Sequence, residues 1–315
     1  MKKTVIKTIG FLIPILLILA MIDLVSFTSA GDAVLSKVFM SQNYRHVGSM
    51  VVSPAIKSAQ AESSHTKVVL GDSMFTHVFS EFGDQNDDYL ILGTNMAVTV
   101  DGQYILARLF LDSHPEATDV YLVLLPVSFA GRYDSPQSYS YLIEPFGRAQ
   151  ALSYLSDDTI GNMKSHYGSL FLNRNVIRFL DGSSINNKIY LYYLQKHVKG
   201  TESDDIISDE AAYYLKDLYD ICKKRNVNLH LLPPPVCDSA DNADRINRLR
   251  EAIKDSELSV IFDKYFECIT LYPEYMFMDG HHFKNEYLDM KTRSDCIDDM
   301  QNKSGELQGL IHVAQ

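Results

Sequence analysis

The sequence predicts an α/β protein of three layers, a parallel sheet covered by helices on both faces, preceded by one apolar N-terminal helix. Three observations carry this expectation. From Lys67 onward, short apolar runs of buried-strand character alternate with segments of helical period. A lysine-flanked apolar stretch opens the chain. The composition is that of a folded protein: 315 residues, 46% apolar and 22% charged, which excludes disorder as the general state. With 29 Lys plus Arg against 40 Asp plus Glu, the net charge is −11. No basic cluster is present to neutralise a phosphate backbone, so no nucleic-acid partner is expected.

In chain order, Lys2, Lys3 and Lys7 precede an apolar run from Ile9 to Ile22, which Asp23 interrupts and Leu24 to Phe27 extend. Residues 1–30 are read as a cytoplasmic stub and signal anchor, or as a signal peptide cleaved near Thr28-Ser29-Ala30. Either way the basic flank holds the N-terminus inside and places the main domain outside the cytoplasm. It is membrane-anchored if the segment stays and secreted if it is cleaved. Residues 31–66 are expected to be a short helix and a polar stem, ending in the linker-like Ala59 to Ser64. The folded domain is placed at 67–300 and a C-terminal tail at 301–315.

Within that domain, Lys67 to Leu70 is a strand closed by Gly71-Asp72-Ser73, and Met74 to Phe82 a helix. Tyr89 to Leu92 is the second strand, Ala97 to Ser113 a helix stopped before Pro115, and Asp119 to Leu125 the third strand. Ser208 caps a helix with Asp209 and Glu210 in its first turn and Lys223, Lys224 and Arg225 in its last. Val227 to Leu232 is another strand, ended by Pro233-Pro234-Pro235. Asp241 to Lys254 is helical, and a further strand is expected between Leu258 and Leu271.

Residues 129–199 break the rhythm and are read as an insertion or cap. Eight of the chain's 19 tyrosines lie between Tyr133 and Tyr193, with Arg132, Arg148, Arg174 and Arg178. They form either a rim for sugar or polymer binding or the insert's own small core. Cys222, Cys237, Cys268 and Cys296 show no CxxC pair. One or two disulfides and buried free thiols are both open, and a structural zinc site is not expected.

Ligands of open α/β sheets bind at the carboxyl ends of the strands. Ser73, directly after the first strand and opening a helix, is placed to act as a nucleophile with its own N–H serving an oxyanion. Asp279-Gly280-His281-His282 sets an acid and a base three residues apart in a turn after the last strand region. A serine, a histidine and an orienting aspartate are the parts of acyl-transfer catalysis. No metal is expected from Asp279, His281 and His282, since adjacent histidines in a turn seldom face one ion, and no cofactor is implied.

On these motifs the chain resembles the SGNH/GDSL hydrolase superfamily. Gly71-Asp72-Ser73 resembles its first conserved block and Asp279-Gly280-His281-His282 its last. The resemblance implies an SGNH-like fold in which Ser73 is the nucleophile, His282 the general base and later acid, and Asp279 the residue that orients the imidazole. Gly93 and the Asn95 side chain, after the second strand, are oxyanion-hole candidates beside Ser73. After the third strand Leu125-Pro126-Val127-Ser128-Phe129 stands where the family carries Gly-x-Asn, leaving Ser128 as a further candidate.

That departure and the N-terminal segment resemble the membrane-anchored branch that modifies envelope polymers. Its members include teichoic-acid D-alanylation proteins of the DltD type and SGNH-like proteins of alginate and exopolysaccharide O-acetylation. The resemblance implies a cell-surface polysaccharide or teichoic-acid-like polymer as acceptor and a membrane-bound O-acyltransferase as partner. The expected function is acyl transfer through an acyl-Ser73 intermediate, most simply O-acetylation. The alternatives are an esterase that deacylates a surface glycan, and a catalytically degenerate scaffold that binds polymer or an envelope partner.

Overall fold

The computed structural model describes residues 10–15, 17–18, 21, 47–79, 88–168 and 204–310. The sheet has four strands in the order β2-β1-β3-β4: β1 (Lys67–Gly71), β2 (Tyr89–Gly93), β3 (Asp119–Val123) and β4 (Asn228–Leu232). All three pairings are parallel. Neighbours of β1 lie on both sides, so the chain reverses its strand order between β1 and β3, and the crevice above their carboxyl ends is where such sheets bind ligands.

Alternation along the strands divides the core. Val68 and Leu70 of β1 and Val120, Leu122 and Leu124 in and after β3 face one apolar cluster. Val69, Tyr121, Val123 and Leu125 face the other, as the two-residue period of a strand requires. The first cluster is covered by α1 (Val47–Gln60) and α3 (Thr99–Ser113), and later in the chain by α5 (Asp209–Lys224). Between α3 and α5 lies α4 (Asp157–Tyr167), whose Met163 and Tyr167 join the same cluster. The second cluster is covered by α2 (Ser73–Phe79) and, at the far end of the chain, α7 (Met290–Ser304). A two-stranded parallel sheet of β5 (Val236–Asp238) and β6 (Leu271–Pro273) lies apart from the main one, with α6 (Ala240–Lys254) between them in sequence.

Several expectations hold and several are corrected. Ser208 caps α5, accepting from the Ala211 N–H. The stem does not extend through 47–60, because α1 buries Val52, Ala55, Ile56 and Ala59 in the core. The part of the insert that is described, 129–168, forms no separate cap: Phe129, Tyr133, Tyr139 and Tyr167 belong to the main apolar cluster. These buried rings cannot stack on a polymer. Tyr190, Tyr192, Tyr193, Arg174 and Arg178 lie outside the described residues. The strand expected between Leu258 and Leu271 does not form there, and β6 begins only at Leu271 and ends at Pro273. Phe262 and Tyr265 bury their rings against Phe129, and the Tyr265 hydroxyl donates to the Leu124 carbonyl at 2.7 Å. That packing turns the chain through 258–263, overriding β-propensity. The tail is also less separate than expected, since α7 runs to Ser304 and Leu307 and Leu310 are buried.

All four cysteines are buried and free. Residues 10–15, 17–18 and 21 are helical and exposed, and most of the expected span lies outside the described residues. No helix among the described residues is long and apolar enough to cross a membrane.

Candidate active site

The turn after β1 is built around Asp72, which is 1% exposed. Its Oδ1 accepts from the Met74 and Phe75 N–H groups at 3.0 and 3.3 Å, satisfying donors that open α2. Its Oδ2 accepts from the Leu125 N–H at 2.8 Å and from the Ser128 hydroxyl at 2.7 Å. One carboxylate therefore ties the end of β1 to the loop after β3, across the switch point of the sheet. Burial raises the Asp72 pKa, against the opposing pull of these hydrogen bonds. Two glycines allow the close approach of α2. A Cβ on Gly71 would lie 2.2 Å from the Phe75 ring, and one on Gly93 2.6 Å from Thr76 Oγ1.

Ser73 opens α2, so no intrahelical carbonyl reaches its N–H. Its hydroxyl lies 2.7 Å from His282 Nε2. His282 Nδ1 lies 2.8 Å from Asp279 Oδ2. The sheet thus brings together residues 209 positions apart in sequence. Burial pushes the Asp279 pKa up, but donation from the His282 ring and from the His282 and His281 N–H groups outweighs it and brings the value to about 2. The resulting carboxylate only accepts, so Nδ1 carries the proton and the Nε2 lone pair faces the Ser73 hydroxyl.

The histidine turn is held by its flanks. Phe277 and Phe283 form an antiparallel bridge, bury their rings 4.6 Å apart, and leave residues 278–282 projecting. Met278 N–H donates to the His282 carbonyl at 2.9 Å. Gly280 sits at φ 76°, where a side chain would be strained. Asn242 of α6 donates to the Cys237 and Gly280 carbonyls at 3.0 and 3.3 Å, fixing the turn against β5.

The oxyanion candidates separate. Ser128 is excluded: its hydroxyl goes to Asp72 and its N–H to the Leu125 carbonyl at 2.9 Å, so neither faces a substrate oxygen. Asn95 Oδ1 accepts from the Ala97 N–H at 2.9 Å, which leaves the Asn95 NH2 group to donate. The Thr94 N–H donates to the Gly71 carbonyl, and by strand alternation Gly93 turns its N–H away from β1. Ser73, Gly93 and Asn95 therefore retain donors, and Ser128 does not.

Sequence reasoning missed His77. It lies four residues after Ser73 on α2, the spacing that shares a helix face, and its ring centre is 5.2 Å from that of His282. Burial lowers its pKa, with the charges of His282 and Arg293 adding to the effect. Arg293 of α7 donates to the His77 carbonyl and, at 3.0 Å, to that of Leu288, joining α2 to the chain that follows the histidine turn.

A cavity of about 570 Å³ runs along edge strand β4 between Tyr219 and Lys264, and neither Ser73 nor His282 lines it. Two smaller clefts, about 500 and 360 Å³, share Val127 on the loop after β3. The first contains Asn95 and Arg132, the second Asp279 and His281. The chemistry of the Ser73 to Asp279 relay decides the location of the site; cavity size does not. No protein-family model matches the chain, and no curated protein matches it in sequence.

Proposed function

We propose that this protein transfers acyl groups through Ser73, acting outside the cytoplasm on a cell-surface polysaccharide or teichoic-acid-like polymer, with O-acetylation as the simplest case. The observation that carries the reading is the unbroken relay from Ser73 Oγ through His282 to Asp279. It agrees with the resemblance of Gly71-Asp72-Ser73 and Asp279 to His282 to the SGNH/GDSL superfamily. The placement outside the cytoplasm rests on the lysine-flanked N-terminal run. A membrane-bound O-acyltransferase as acyl-donating partner is part of the same proposal.

In the first half-reaction His282 Nε2 takes the Ser73 proton while Oγ attacks the acyl carbonyl carbon. The oxyanion is met by the Ser73 N–H with the Asn95 amide or the Gly93 N–H. The imidazolium, steadied by Asp279, returns the proton to the departing group and leaves acyl-Ser73. In the second half an acceptor hydroxyl gives its proton to Nε2 and attacks the ester carbonyl. Collapse then breaks the bond to Oγ, and His282 reprotonates Ser73. If water attacks instead, the same steps are hydrolysis. That second reading draws support from the side chain of Asp279, which is 49% exposed, so water reaches the outer end of the relay. The degenerate-scaffold alternative requires Ser73 and His282 to be apart, and the 2.7 Å separation argues against it.

The test uses the full chain with a chromogenic acetyl ester, following acetate release and a trapped acyl-serine by mass spectrometry. An adduct on Ser73 that vanishes in Ser73→Ala is expected. Equal turnover in Ser73→Ala, or an adduct on another residue, would sink the proposal.

A further inference from the structure

The cleft of about 500 Å³ begins at a donor proposed for the oxyanion. Asn95 lines it, and it shares Val127 with the cleft of the histidine turn. Beside Asn95 its walls are Met96, Ala97, Val127 and Ala130, all half-buried, and the surface they leave open is mostly apolar. Most polar side chains of the lining are occupied within the chain. Arg132 pairs with Asp134 at 3.8 Å and with Asp205 at 3.7 Å. The Ser135 and Ser138 hydroxyls bond each other at 2.9 Å, and Ser138 donates to the Arg132 carbonyl at 2.8 Å. The Thr99 hydroxyl donates to the buried Asp101. Of the polar side chains in the lining, the Asn95 NH2 group and the exposed Gln137 are left to meet a ligand. Such a cleft takes a substituent that is carbon for most of its length.

The tetrahedral carbon formed on Ser73 carries four groups, and the relay assigns the direction of three. One is Ser73 Oγ itself. The oxyanion turns to the Ser73 N–H and its partner donor. The oxygen that leaves or enters must exchange a proton with His282 Nε2, 2.7 Å from Oγ, so it takes the side of the histidine turn. The acyl substituent is left the side away from His282, where Asn95 and Val127 open the cleft. We propose that this cleft holds the acyl substituent, and that the group transferred is an aliphatic acyl chain longer than acetyl. The inference rests on the acyl-transfer reading and names the donor class for it. A methyl group would leave a space of about 500 Å³ nearly empty. A longer chain covers Met96, Ala97 and Ala130 and removes their apolar surface from water.

The test measures kcat/KM of the full chain for the p-nitrophenyl esters of acetate, butyrate and hexanoate, and follows acylation of Ser73 by mass spectrometry. Efficiency is expected to rise along the series, by up to about fourfold for each methylene that enters the cleft. In Ala130→Phe, whose ring fills the cleft, the hexanoate-to-acetate ratio falls about tenfold, the loss of nearly two buried methylenes. Lys254→Gln, on the exposed side of α6, leaves the ratio at the wild-type value. A ratio near one in the wild type, or an unchanged ratio in Ala130→Phe, overturns the subsite. If Ala130→Phe does not fold, Ala97→Leu decides on the same terms. If no ester acylates Ser73, the acyl-transfer reading fails separately, and calorimetric titration with hexanamide and acetamide judges the cleft. Tighter binding of hexanamide that is lost in the folded filling variant supports the subsite, and equal or absent binding overturns it.

Discussion

The turn after β1 and the turn that carries His282 each place an aspartate beside one partner of the Ser73–His282 pair, in opposite surroundings. Asp72 is 1% exposed and its two oxygens take four hydrogen bonds. Asp279 has a side chain 49% exposed and stands on a projecting turn braced by Phe277 and Phe283. The buried aspartate builds the platform that aims Ser73, whereas the exposed one governs the proton on His282. Stability and chemistry are therefore expected to separate between two residues of the same type.

Asp279→Asn is the sharpest way to break that contrast. An amide in place of the carboxylate lets His282 adopt the wrong tautomer, and acylation of Ser73 should fall by roughly 10⁴. The urea midpoint should stay close to that of the wild type. A loss of activity under tenfold would end the assignment of Asp279. Next in size, Asn95→Ala removes one of the two donors proposed to join the Ser73 N–H at the oxyanion and should lower kcat by about 10²-fold to 10³-fold. An unchanged kcat would move that role to the Gly93 N–H.

Asp72→Asn reverses the pattern. It sets an NH2 group against buried donors and should lower unfolding free energy by about 2 to 4 kcal/mol, measured by urea denaturation. A stability within about 0.5 kcal/mol of wild type would contradict the platform role. Ser128→Ala removes one hydrogen bond to Asp72 and should lower stability by about 1 kcal/mol. Its effect on acylation should stay under tenfold, because the Ser128 hydroxyl is already bound to Asp72. A drop of a hundredfold would restore Ser128 as an oxyanion donor.

The smallest effect is one of sign. The Asp279 pKa falls from 3.8 to about 2, so its pairing adds stability above about pH 4 that is lost as pH drops toward 2. Burial raises the Asp72 pKa above 3.8. Its folded state then holds a proton that the unfolded state releases, and stability declines as pH rises through the window starting at 3.8. Denaturation between pH 2 and 6 should show Asp279→Asn flattening the acid loss and Asp72→Asn flattening the opposing slope. Equal slopes in both variants would remove the contrast.

Much of this was legible in the chain. The apolar runs at Val68, Leu90, Val120 and Leu229 show strand period, and Ser208 with Asp209 and Glu210 marks the start of α5, since both signals are local. Ser73 and His282 carried a motif at each end of the domain. Ser128 misled because its position after β3 suggested an oxyanion role, while only the fold reveals that Asp72 takes its hydroxyl. Residues 258–271 misled because their β-branched and aromatic composition fits a strand, but Tyr265 and Phe262 bury their rings against Phe129 instead.

The sequence by itself determined the α/β class, the parallel strands, the acidic balance and the choice of Ser73, His282 and Asp279 as candidates, because periodicity, charge and motif are properties of neighbouring residues. Only the tertiary structure decided that α1 belongs to the core, that His77 lies against His282, and that Asp72 takes the Ser128 hydroxyl. These facts depend on which surfaces meet across the sheet. Packing between segments distant in sequence determines that meeting, and local pattern does not encode it.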